Sequence, residues 1–495
     1  MVELRNGFAK IFMNPWSYFI FFAAVALLML IPGLFPIIRP ISRIALFWAF
    51  ILFYKDMREH KRILQSDYAI LMLLFIAFYF VTVLLTDSGR FFNYFTSRAH
   101  TFFMVALFYA YNPFEDKFAK LRGLCVATKV LSGLTALMML LSFPLFIFLI
   151  ERVYIGSISI IGVLANRLFG LFTEPNHGSA YAGICLILAI LCIYIEYNDK
   201  GKINKYLVVV SVVNYIGVVL SRSRSGTMGL AVAVIVAAFF LLKNIPSLKT
   251  KVRHVFATLL CLLLFMSTYY GNVYLLYRIP ENIANLEMLP QSEMLELWTL
   301  SVDTSRRTDD SINDLRIERV VYGDEISSAR FGIWGDAIRV WQQHPVFGIG
   351  RMSLPEYVMD NMHLLSGDWW ITQHNGNFAI VNVFLEVLVS SGIVGFVLYV
   401  GFLGLCALKI LKYLFAKKEN SLDYVVVVIL FALLGQMTTV ASLTATGFLT
   451  IDFLERVHWM VLGMAMYFVS KDTPQRETIL MKLYIQGHNF LFRQK

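Results

Sequence analysis

Apolar runs about as long as a bilayer is thick recur along this chain, and they leave it few folds to choose from. A helix that crosses a membrane needs roughly 20 mostly apolar residues, because every backbone polar group must be satisfied inside the helix itself. Such runs are read at 17–38, 41–54, 67–86, 96–112, 124–150, 178–197, 205–220, 226–242, 254–274, 393–412, 423–443 and 448–469, with 376–391 left to be placed. Barrel strands would be shorter and would alternate, so the runs are helices. Composition agrees: 58% hydrophobic residues and a mean hydropathy of +0.66 are too apolar for a soluble globule. The expected fold class is an all-α integral membrane protein of about 12 transmembrane helices.

The loops orient the bundle. The basic N-terminus, MVELRNGFAKIFMNPW, precedes a run too long for a signal-peptide core and lacking a small-residue cleavage site, so it reads as an uncleaved first span. KDMREHKR (55–62), KFAKLR (117–122), KGKINK (200–205) and KNIPSLKTKVR (243–253) fall on one face if every run crosses once, and the positive-inside rule makes that face cytoplasmic. The long polar stretch 275–375 then lies outside; it holds arginines but no lysine, and its acids outnumber its arginines. KILKYLFAKKEN (409–420) and the basic tail from Lys471 should also be cytoplasmic, so the chain crosses an odd number of times between His374 and Lys409. One full crossing plus a half-length helix fits there. The expected organisation is therefore helices 1–9 in 1–274, a large outer loop over 275–375, and a short outer helix over 376–391 broken at Ser390-Ser391-Gly392. Helices 10–12 follow in 392–470 and a cytoplasmic tail in 471–495, with both termini inside. Cys125, Cys185, Cys192, Cys261 and Cys406 lie in apolar runs and read as small packing residues.

Polar residues concentrate where the long loop returns to the membrane. Arg330, Trp334 and Trp341 recur at near-helical spacing, so a short helix would align an arginine with aromatic rings until His344-Pro345 stops it. FGIGR then forms a turn ending in a second cation, Arg351. Asn375 is a candidate N-cap for an apolar helix whose first turn lies beside His374, and a helix start suits an anion. Two further outer segments carry charge near the membrane: NRLFGLFTEPNHGSAYAG (166–183), with Arg167, Glu174 and His177, and SRSRSG (221–226), with Arg222 and Arg224. These arginines either snorkel to lipid phosphates and pair with loop carboxylates, or grip an anion with their planar forks. His374 is either a polar residue bonding the first helical turn or a neutral imidazole that orients and deprotonates a hydroxyl. Glu386 reads as a helix-packing hydrogen bonder rather than a catalytic acid. The tryptophans serve as interface anchors or stack on sugar rings.

Several chemistries lack their residues. His344, His363 and His374 are too widely spaced for a metal site, there is no GxxxxGK[ST] phosphate loop, and no cytoplasmic loop is long enough to fold a nucleotide-sugar domain. No cofactor and no nucleic acid is expected. A reaction on the outer face needs a donor already activated there, such as a lipid-linked pyrophosphate.

RLFGLFTEPN (167–176), SRSRSG (221–226), RFGIWGDAIRVWQQHPVFGIG (330–350) and HNGNFAIVNVFLEVLVSSGIVG (374–395), in that order, resemble the O-antigen ligase and Wzy-type polysaccharide polymerase superfamily of bacterial inner-membrane glycosyltransferases. The resemblance implies a GT-C-like helical fold with a large periplasmic loop. It also implies metal-independent transfer of a glycan from undecaprenyl pyrophosphate to a glycan acceptor, in a lipid bilayer, with a chain-length regulator as protein partner. Arginines matching Arg222 and Arg330 would engage the pyrophosphate, and a histidine matching His374 would sit by the acceptor hydroxyl. Either register of the doubled SRSR is open, so Arg224 stays beside Arg222; Arg167, Glu174, Arg351, Asn375 and Trp334 are the further substrate-binding candidates. The EPN run leans towards the polymerase branch over the ligase branch. A polysaccharide flippase or other transporter is the alternative of a different class.

Overall fold

The computed structural model describes residues 10–31, 34–86, 91–112, 114–147, 153–155, 159–164, 167–172, 175–221, 223–244, 330–351, 353–365, 380–444, 452–471, 478–482 and 484–485, with residues 259, 262 and 266. In chain order the helices are α1 (Pro15–Leu28), α2 (Phe35–Glu59), α3 (Ala69–Thr86) and α4 (Phe91–Met104), the last continued by a π-helical turn over Val105–Tyr109. Then come α5 (Lys117–Ile147), α6 (Pro175–Lys200), α7 (Lys205–Leu220), α8 (Arg224–Lys243), α9 (Arg330–Gln343), α10 (Leu354–Asp360), α11 (Val383–Ala416), α12 (Leu422–Leu443) and α13 (Phe453–Ser470). Among the described residues, six helices are long and apolar enough to cross a membrane: Ala69–Thr86, Lys117–Leu145, Pro175–Lys200, Arg224–Lys243, Val383–Ala416 and Leu422–Leu443. Pro15–Leu28 and Lys205–Leu220 are apolar but shorter.

Helix starts follow local chemistry. Asn14, Asn204, Ser223, Asn382, Ser421 and Asp452 each precede a helix, and each side chain accepts an N–H of the first turn that no carbonyl of the helix could reach. Within the bundle α8 packs on α12, α6 on α5 and α7, and α3 on α11. At the centre stands α13, buried along its whole length although it carries Glu455, Arg456 and His458.

Three features differ from the sequence reading. The first two runs divide earlier than Arg39-Pro40: α1 ends at Leu28 and α2 runs from Phe35 through Pro40 to Glu59. Pro40 lies inside this helix, past its first turn, and contributes no N–H to the helical ladder. Secondly, the fold is not wholly helical, since Val153–Ile155, Ser159–Leu164 and Arg167–Gly170 form an antiparallel three-stranded sheet (β1, β2, β3) between α5 and α6. In a chain this apolar, short strands show no contrasting alternation by which to be recognised. Thirdly, the helix expected to begin beside His374 is capped by Asn382, with residues 380–382 outside the helix, so Asn375 is not its cap. That helix, α11, runs to Ala416 as two segments joined at Gly392 (φ 63°), the glycine of the expected Ser390-Ser391-Gly392 break. The run 254–274 lies outside the described residues apart from residues 259, 262 and 266.

The bundle has two chemically distinct ends. At one, Lys117 and Lys471 reach Asp423, Lys120 and Arg62 reach Glu115, and Lys409 pairs with Asp67. These contacts join the loops read above as basic. At the other end lie the starts of α6, α8, α11 and α13 and the segment α9–α10.

Candidate functional site

The polar end is assembled from two groups of elements. In the first, α6 and α8 begin side by side. Ser223, the N-cap of α8, bonds the N–H of Gly226 at 3.1 Å and donates to Asn176 Oδ1, in the first turn of α6, at 2.9 Å. Ser223 also lies 3.1 Å from the Ser225 hydroxyl. Gly226 lets the two backbones approach, because a Cβ there would overlap the side chain of Ser179. Two helix starts, each carrying about half a positive charge, thus converge where Arg224 opens α8 with its side chain exposed. His177 stacks on Tyr181 in α6, ring centroids 6.0 Å apart.

The second group links α9 to α11. The spacing of Arg330, Trp334 and Trp341 does form a helix, and it ends at Gln343 before His344-Pro345. Ile333, Ala337 and Val340 of α9 bury against Ile349, Leu354, Val358, Ile380 and Val389 in a small core of their own. Arg339 pairs with Asp336 and its Nε donates to Leu364 O at 2.8 Å, tying α9 to the turn after α10. Trp334 stands edge-on to Phe331, centroids 5.4 Å apart, and its buried Nε1 has no hydrogen-bond partner among the described residues. His344 packs edge-on against Tyr357, whose phenol burial pushes above its ordinary range, so the ring keeps its proton at neutral pH.

The turn after α9 clasps the break in α11. A break strands carbonyls and amides inside the fold, and the turn supplies their partners. Ile349 N–H donates to Val389 O and Gly350 N–H to Ser390 O, both at 3.0 Å, while Ile393 N–H donates to Pro345 O at 2.8 Å. Gly348 (φ 72°) and Gly392 (φ 63°) meet here, and a Cβ on Gly348 would lie 2.5 Å from Val389 O and 2.6 Å from Gly392 N. The membrane helix α3 holds the outer side of the turn: Thr82 Oγ1 donates to Phe347 O at 2.9 Å, and Phe78 stacks on Phe347 at 5.5 Å. At the end of the turn, Arg351 Nε lies 2.6 Å from Glu386 Oε1. Arg351, a substrate-binding candidate in the sequence, is therefore ion-paired, and Glu386 is more than a packing residue. Phe75, Tyr79, Arg98, Val383, Val387, Ser390 and Ser391 complete a small cavity around the pair.

The structure thus brings Arg351 to Glu386, and Arg224 to the paired helix starts. Arg330 opens α9, half-buried, in the group that packs on α11. Arg222, Glu174, His374 and Asn375 lie outside the described residues, and Arg167 is described only as backbone in β3. Among the described residues no three His, Cys, Asp or Glu side chains are grouped to hold a metal ion.

Ionisable residues inside apolar runs were the signal passed over in the sequence. Arg98, only 2% exposed, lies with its guanidinium 4.6 Å from the Tyr79 ring centroid. Deeper in the bundle, Thr101 Oγ1 donates to Glu455 Oε1 at 2.7 Å, Arg456 Nη1 lies 3.2 Å from Glu455 Oε2, and the Arg456 guanidinium sits 3.8 Å from the Phe22 ring centroid.

Against this geometry, residues 206–400 match the model of the O-antigen ligase family, Wzy_C. No curated protein matches the chain. The matched stretch contains Arg224, the whole of α9, the clasping turn, Glu386 and the break at Gly392. The match over residues 206–400 supports the resemblance of this chain to the O-antigen ligase and Wzy-type superfamily.

Proposed function

We propose that this chain is a glycosyltransferase of the bacterial inner membrane that polymerises undecaprenyl-pyrophosphate-linked repeat units at the periplasmic face. The observation that carries the reading is the convergence of the α6 and α8 starts beside Arg224, inside a chain whose family domain acts in surface-glycan assembly. Two helix dipoles and an arginine fork favour an anion with several oxygens, which suits a pyrophosphate leaving group. Arg222, Arg224 and Arg330 bind that group, and the end of the bundle that carries the basic loops faces the cytoplasm. About twelve spans in a GT-C-like arrangement complete the fold, with undecaprenyl carrier, glycan acceptor and chain-length regulator as partners.

An acceptor hydroxyl is a poor nucleophile. His374, neutral at the pH of the periplasm, takes its proton as the oxygen attacks the anomeric carbon from the face opposite the pyrophosphate. The glycosidic C–O bond to the pyrophosphate breaks, its electron pair leaves with the phosphate, and the anomeric centre inverts. General-base assistance of this kind contributes about 10²–10⁴-fold. Accordingly, His374→Ala should nearly abolish transfer while donor binding persists, as measured with purified protein and lipid-linked donor in EDTA. Retained anomeric configuration, metal dependence or an active His374→Ala variant would each refute the mechanism.

A second reading, ligation of finished polysaccharide to lipid A-core, is favoured by the family's own description as an O-antigen ligase. Glycan profiling of a deletion strain separates the two: single-repeat caps indicate a polymerase, loss of all capped lipid A a ligase.

A further inference from the structure

Glu386 sits in the first turn of α11, its side chain 13% exposed, between a guanidinium that can leave and one that cannot. Arg351, its ion-pair partner at 2.6 Å, is 35% exposed, whereas Arg98, on the wall of the same cavity, is 2% exposed and lies over the Tyr79 ring. Tyr79 also accepts the backbone N–H of Arg351 at 3.4 Å. Arg351 is the residue on which the clasping turn ends, and that turn continues directly from α9.

We propose that Glu386 is a positioning residue, which through Arg351 and the clasped turn sets the angle of α9 and thereby the place of Arg330. The inference rests on the reading above for its catalytic consequence, though not for the geometry. The 14 residues of α9 span about 20 Å, so a tilt of about 10° at the clasp moves the Arg330 end by about 3.5 Å. A misplacement of about 1 Å can already cost about 10²-fold in rate. Removing the charge from either partner releases the tether that holds Arg351, the end of the turn, against α11, and the turn is then free to move outward with it.

The test places nitroxide labels at Phe331→Cys on α9 and Met228→Cys on α8, both exposed, in the full chain in nanodiscs with the native cysteines replaced by alanine. Pulsed electron resonance should give one narrow distance for the parent protein. Glu386→Gln should shift or broaden it by about 3 Å. Glu386→Asp, which keeps the charge, should do so less. Arg351→Gln should reproduce the shift, and the Glu386→Gln/Arg351→Gln double variant should add nothing further. With an undecaprenyl-pyrophosphate-linked donor, Glu386→Gln should lower kcat at least about tenfold while KM for the donor stays within about twofold. Unmoved distances in both Glu386→Gln and Arg351→Gln overturn the proposal, as does a change confined to KM, which would make Glu386 a direct substrate contact. Should Glu386→Gln not accumulate, Arg351→Gln alone must show the shift. Displaced distances in a protein inactive on that donor would instead overturn the polymerase reading and leave the positioning role standing.

Discussion

Replacing Gly392 with alanine tests the clasp that joins the loop helix to the membrane helix. At φ 63° and ψ −171° Gly392 occupies a region that is essentially glycine's alone, where an L-residue costs about 1–3 kcal/mol in backbone strain. The added Cβ would also overlap the backbone of Val346 and Phe347, so the turn must lift. Lifting sacrifices at least one of the three amide bonds from Ile349, Gly350 and Ile393, and a buried backbone group left unsatisfied costs about 1–3 kcal/mol. Together the opening of the turn becomes easier by about 2–6 kcal/mol, which at about 1.4 kcal/mol per tenfold multiplies the open population by about 30-fold to about 20,000-fold. Hydrogen–deuterium exchange over 345–351 and 389–393 reads this directly, since protection factors should fall by that ratio. Gly401 and Gly404, in the second segment of α11 with open space around each, supply the control. Alanine at either should preserve protection and add about 0.5–1 kcal/mol of helix stability. Equal protection in Gly392→Ala and the parent, or equal losses in Gly392→Ala and Gly401→Ala, would refute the reasoning.

The remaining expectations concern orientation and the anion site. Single cysteines at Asn420 and Met359, both exposed, should label from opposite sides of the membrane, and labelling from the same side would overturn the assignment of the basic loops to the cytoplasm. Arg222→Lys and Arg330→Lys keep charge but lose the planar fork, so polymer synthesis should fall at least about tenfold. Near-normal polymer in both, at normal protein levels, would sink the pyrophosphate site. Ser223→Ala removes a cap worth about 1 kcal/mol and its bond to Asn176, so the Kd for undecaprenyl pyrophosphate measured by calorimetry should rise about fivefold; an unaltered Kd would separate the paired helix starts from anion binding.

Much of the architecture was legible because one physical demand, satisfying backbone polar groups in hydrocarbon, writes itself into local composition. It marked the apolar helices, and local chemistry likewise marked the Arg330–Gln343 helix and the break at Gly392, where a glycine follows two serines. Hydropathy, however, carries no contrast among neighbouring apolar residues. The strands at 153–170 and the true division between α1 and α2 were therefore invisible to it. A cap is also degenerate in sequence: Asn375 and Asn382 both precede apolar residues, and packing of Ile380 and Val389 against the loop core accompanies the start at Val383.

Pairings over long sequence separations belonged to the tertiary structure alone. Nothing local joins Ser223 to Asn176, Thr82 to Phe347, or Thr101 to Glu455; each bond exists because elements distant in the chain pack side by side. For the same reason the sequence showed Arg351 only as a cation and substrate-binding candidate. Its charge, type and loop position were visible, while the carboxylate that neutralises it lies 35 residues on, brought beside it only when the turn folds back over the broken helix.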